Sequence, residues 1–116
     1  MSIPINEYAW VFRYYRGITP LALPRRSKAV LFMVIERFRE NAIDLIHDRF
    51  VKMGRMLPEG VVYIESWIAD DTTLCYQLME SPKVELVTQW TTHWSDLADF
   101  EIRAVQTSAD FWTRRQ

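Results

Sequence analysis

The chain has 116 residues, 49% of them hydrophobic and 25% charged, a composition that suits one soluble globular domain with a modest core. Its net charge of −1 divides unevenly, with +4 on residues 1–29 and −5 on residues 30–116. That acidic main region argues against sequence-independent nucleic-acid binding, which needs basic surface to neutralise phosphates. Cys75 is the only cysteine, so no intramolecular disulfide can form and a reducing, cytoplasmic setting is expected. No apolar run approaches the ~18 residues of a membrane span, and Tyr8–Phe12 is too short for the apolar stretch of a signal peptide, so neither a membrane nor a leader is predicted.

Residues 1–29 differ from the rest. They hold Tyr8, Trp10, Phe12, Tyr14 and Tyr15, three of the five prolines, and the basic pair Arg25–Arg26. Pro20 and Pro24 oppose a continuous helix. One reading is a basic-aromatic arm for a membrane surface or a partner. The favoured reading is an N-terminal extension that does not belong to the domain, either disordered or an over-long assignment of the start.

From residue 30 a strand–helix–strand unit is written twice. Val30–Arg37 is apolar on both faces and predicts a central strand. From Glu40 to Met53 the residues Ile43, Ile46, Phe50 and Met53 recur at helical spacing, one stripe expected to face the sheet. Gly54 suits a left-handed helix end, and the run RMLPEG over residues 55–60 is a connection. Val61–Ala69 alternates, with Val62, Ile64, Ser66 and Ile68 on one face and Val61, Tyr63, Glu65 and Trp67 on the other. Asp70–Thr72 predicts a tight turn, and Thr73–Glu80 the hairpin partner. Ser81 is placed as an N-cap with Pro82 in the first turn of a helix whose stripe is Val87, Trp90, Trp94 and Leu97. Phe100–Gln106 alternates again, and residues 107–116 form a tail that either frays or docks as a short helix. The order βαββαβ predicts an α+β domain over residues 30–106 of ferredoxin-like topology, a four-stranded antiparallel sheet with two helices on one face.

The strings LFMVIERF, GRMLPEGVVYIESW, CYQLME and W-x-x-x-W-x-D-L-x-x-F-E-I stand in this order between residues 31 and 102. Together they resemble a family of short bacterial proteins known only as a domain of unknown function. The resemblance implies a dimeric α/β-barrel type of fold and carries no established activity. It also implies that the native chain starts near the first strand, because family members look as though they place a methionine where Val30 stands here.

The candidate site follows from the sheet. On the face away from the helices the alternation places Tyr63, Glu65 and Trp67, together with Glu101 and Arg103; Glu36 and Gln77 are candidates for the same face. With Phe32 and Val34 added, such a face is too apolar for water, and a second copy covering it predicts a homodimer. Within it Glu36 or Glu65 pairs with Arg103. That pair either sets the register of the interface or opens a pocket in which Arg103 holds an anion, Trp67 and Tyr63 stack on a flat ligand, and a glutamate acts as general base.

Other chemistry is weakly signalled. His47 and His93 share no metal-ligand spacing with each other or with Cys75, and no metal or cofactor is expected. Cys75 reads as a small buried apolar residue rather than a nucleophile. The three glycines form no phosphate-cradling loop. The sequence therefore supports a homodimeric small-ligand-binding module. A cofactor-free isomerase-like or monooxygenase-like enzyme on a small organic substrate and a structural interaction module are the alternatives.

Overall fold

A computed structural model describes residues 29–115; the expectations for residues 1–28 lie outside the described residues. The elements are β1 (Val30–Phe38), α1 (Ile43–Met53), β2 (Val62–Ile68), β3 (Leu74–Ser81), α2 (Val84–Thr91), β4 (Ala98–Val105) and α3 (Ser108–Arg114). The strands form one antiparallel sheet in the order β2-β3-β1-β4. Strand β1 lies between β3 and β4, as its two apolar faces require.

Residues 29–106 make one compact unit and residues 107–115 belong to another. In the latter, Thr107 caps α3 by accepting a hydrogen bond from the Asp110 amide at 2.9 Å. Phe111 and Trp112 meet edge to face.

The core of the main unit lies between the sheet and its helices. Phe32 and Val34 of β1, Met79 of β3 and Val61 pack against Val87, Trp90 and Trp94. Helix α2 supplies Val87 and Trp90 but is only eight residues long. Its predicted stripe outlasts it: the chain tightens into turns after Thr91, with the Trp94 amide donating to the Thr91 carbonyl at 3.0 Å, so Trp94 and Leu97 reach the core from turns. Ser81 does not cap the helix. It ends β3, Lys83 holds the N-cap position, and the buried Ser81 hydroxyl bonds the Lys83 backbone. The Asp70–Thr72 turn forms as expected, closed by Asp71, whose carboxylate accepts from the Thr73 amide and hydroxyl.

Helix α1 departs most from the expectation. It starts at Ile43, because Asn41 stands at φ 60° and breaks the helical run before it. Its apolar stripe does not lie on the sheet. Ile43, Phe50 and Met53 are 46%, 42% and 61% exposed, and the contact with the core comes from Ile46. Arg49 anchors the helix sideways. Its guanidinium grips both carboxylate oxygens of Asp96 at 2.7–2.8 Å, donates to the His93 carbonyl at 2.7 Å, and holds the Asp96 carboxyl below the ordinary range.

Strand β2 corrects the expected faces. Tyr63 opposes Met79, yet Glu65 opposes Leu78, so a β-bulge interrupts the ladder between them. The extra residue inverts the alternation. Tyr63 moves to the helix side with Ser66 and Ile68, and Val62 to the open face with Glu65 and Trp67. The 2.7 Å hydrogen bond between the Tyr63 and Ser66 hydroxyls spans the bulge.

Trp94 is nearly fully buried and its indole donates to a loop carbonyl. Trp94→Ala should cost ~3–5 kcal/mol in urea unfolding, as for other buried aromatics. Trp94→Phe should cost clearly less than the alanine change, since it loses the indole hydrogen bond and part of the ring but keeps an aromatic side chain in the core.

Candidate functional site

The gap left by α1 is a cavity of about 290 Å³ over the helix side of the sheet. Its roof is Ile43, Ile46 and Phe50 of α1, and Trp90 and Trp94 close one side. Its floor is polar. The ladder sets Glu36 of β1 opposite Cys75 of β3, and Val34 opposite Gln77, so the side chains of Glu36, Cys75 and Gln77 rise together beneath α1. Ser66 and Ile68 line it from β2, and the bulge puts Tyr63 on the same side.

The polar groups form a row. Arg55 Nε donates to Gln77 Oε1 at 3.3 Å, and Gln77 Nε2 donates to Glu36 Oε1 at 2.8 Å. Cys75, the cross-strand neighbour of Glu36, adds its thiol to the surroundings of that carboxyl. Glu36 is only 4% exposed. Burial pushes its carboxyl above the ordinary 4.5, against the smaller opposing effects of Gln77, Cys75 and the Arg55 charge. Burial and the neighbouring carboxylate push the Cys75 thiol up to about 12, so it stays protonated at neutral pH and is no nucleophile.

Arg55 enters from the RMLPEG connection, and two tryptophans place it. The indoles of Trp90 and Trp94 both donate to the Arg55 carbonyl, at 2.8 and 3.2 Å. Next to it Met56 adopts φ 61°, a left-handed conformation that costs a non-glycine residue about 1–2 kcal/mol. Met56 and Leu57 turn into the core while the Arg55 guanidinium turns into the cavity. Its Cζ sits 3.5 Å from the centre of the Tyr63 ring and 5.3 Å from that of Phe50.

The six residues singled out in the sequence are divided by the sheet. Glu36, Gln77 and Tyr63 are on the helix side, the first two lining the cavity and Tyr63 under Arg55. Glu65, Trp67 and Arg103 are on the open face. Arg103 pairs with Glu101 on its own strand at 2.6 Å, not with Glu36 or Glu65. Phe32 and Val34 also leave the open face, since both belong to the core. Arg55 and Cys75 join the site. Arg55 had a sequence signal in its unusual loop, but the tryptophans that direct it are 35 and 39 residues away. Among the described residues no His, Cys, Asp or Glu group has metal-holding geometry, and no helix is long and apolar enough to cross a membrane.

Residues 30–114 match the family described as a domain of unknown function, DUF3303. The chain belongs to this family. Comparison with curated proteins and with solved structures returned no match. The match includes α3, so the family segment extends beyond the sheet domain into the C-terminal helix.

The Glu36 shift predicts a pH dependence of stability. As pH rises above 4.5, the unfolded chain releases this proton first while the folded chain retains it. Stability from Glu36 is therefore complete below that value and is lost as pH rises through the folded-state titration. Urea unfolding of wild type and Glu36→Gln from about pH 4 to 9 should show the variant gaining on wild type as pH rises; a constant difference would exclude a raised Glu36.

Proposed function

We propose that the protein is a small-molecule-binding module whose site is the cavity between α1 and the sheet. The observation that carries this reading is an apolar chamber of about 290 Å³ floored by a row of hydrogen-bonding groups. Binding pockets are typically apolar, with a few convergent polar groups and volumes of roughly 300–1,000 Å³, so the ligand is small. The flat walls offered by Trp90, Trp94 and Phe50 suit a planar molecule. A second reading, a cofactor-free isomerase-like enzyme, is favoured by Glu36. A buried carboxyl retained at a cavity wall is suited to moving a proton to or from a bound substrate.

We read the sheet order and its helices as the ferredoxin-like arrangement, and the open face as the seat of a second copy, giving a homodimeric α/β barrel. Met33, Ile35, Tyr76 and Leu78 support this reading by making a half-buried apolar centre there, and Trp67 stands beside them 50% exposed. A twofold axis needs one such self-complementary patch. The free Cys75 suits a reducing cytoplasm.

Ligand-observed NMR on the full chain with indole and phenol as probes tests the cavity. Both should show saturation transfer, and Ile43→Trp, a substitution at the exposed cavity rim, should diminish it. Absence of transfer, or transfer unchanged by the substitution, would refute the site. Native mass spectrometry of the same sample should show a dimer, and Trp67→Glu should convert it to a monomer that still binds both probes. A wild-type monomer would exclude the barrel.

A further inference from the structure

We infer that the ligand of this cavity is an organic anion, a small flat molecule carrying one carboxylate, and that Arg55 holds it. The inference rests on the cavity reading above and adds the ligand's charge. Arg55 is the one permanently charged cation among the residues lining the chamber. A guanidinium has five N–H donors. Among the described residues Arg55 uses one, the 3.3 Å bond from Nε to the neutral Gln77 amide. Arg39, Arg49 and Arg103 each reach a carboxylate, at 2.8, 2.7 and 2.6 Å, whereas Arg55 forms no ion pair among the described residues.

Arg55 is half-buried, and to the extent that its charge is desolvated it needs a counter-charge or a set of hydrogen bonds, which the described residues supply only in part. The Tyr63 ring supplies part of this through its face. It leaves the terminal in-plane N–H groups without an acceptor among the described residues, and those are the groups that recognise a carboxylate side by side. Glu36 does not fill the role: Gln77 lies between it and Arg55, and its own carboxyl is engaged by Gln77 and Cys75.

The guanidinium is also held in advance. Two indole bonds to the Arg55 carbonyl and the left-handed Met56 fix the loop, and the Tyr63 ring fixes the plane. A cation ordered before binding loses little freedom when an anion arrives. One fork set in an otherwise apolar wall matches a single carboxylate on a flat hydrocarbon body better than a phosphate, which recruits several donors.

Calorimetric titration of the full chain with benzoate and with benzyl alcohol, probes of like shape and different charge, tests this. Wild type should bind benzoate about tenfold or more tightly than benzyl alcohol, the scale of one charge-assisted contact. Arg55→Met should abolish the preference by weakening benzoate far more than benzyl alcohol, and Arg55→Lys, keeping the charge but losing the fork, should retain part of it. Equal binding of both probes by wild type would overturn the anion assignment and leave the cavity reading standing. A benzoate preference that survives in a folded Arg55→Met variant would overturn the role of Arg55. Binding of neither probe would overturn both.

Discussion

A carboxyl and an amide buried side by side on the helix face of the sheet organise this domain. Glu36 and Gln77 sit on neighbouring central strands, where apolar side chains would let a helix settle onto the sheet. Buried polar groups need partners, and these two satisfy each other and recruit Cys75 and Arg55. They cannot satisfy the underside of an apolar helix. Helix α1 therefore stands away from the strands, pinned by Arg49 at its side and touching the core through Ile46. Helix α2, over the apolar half of the same face, packs down fully through Val87 and Trp90. The cavity is the difference between the two halves.

Three local irregularities meet at that cavity. The bulge in β2 puts Tyr63 on the same side as Ser66 and Ile68, which line the cavity. The left-handed Met56 lets the loop send its apolar residues into the core and Arg55 into the chamber. The early end of α2 frees Trp94 to reach the Arg55 carbonyl together with Trp90. Each departs from regular geometry, and bulges and left-handed residues concentrate where a side chain must be aimed. Their convergence on one chamber is the reason to propose a binding site there rather than on the open sheet face.

Most of the architecture was legible in the chain. The duplicated strand–helix–strand pattern, the centrality of β1 and the turn at Asp71 all rest on local periodicity and turn chemistry, and all are present. The site was legible only in part. Glu36, Gln77 and Tyr63 were singled out, but with a facing that grouped them with Glu65, Trp67 and Arg103. A strict period of two assigns faces correctly until a residue is inserted. Nothing within Val-Tyr-Ile-Glu-Ser-Trp marks the insertion, because a bulge is set by the ladder that β3 offers and not by β2 alone. In the same way Ile43, Ile46, Phe50 and Met53 read as a core stripe. Periodicity records which residues share a side of a helix and says nothing of how far that side lies from its neighbour.

The sequence by itself determined the element order, the apolar content of each helix face, and the presence of polar residues in otherwise apolar strands, since these follow from composition and spacing over a few residues. Only the tertiary structure decided which of those polar residues meet. Glu36 and Gln77 are 41 positions apart, and Arg55 and Trp94 are 39 apart. Their contacts arise from strand register, one bulge and one strained loop. Those features depend on long-range pairing free energies, summed over the whole sheet, that no local window of the chain contains.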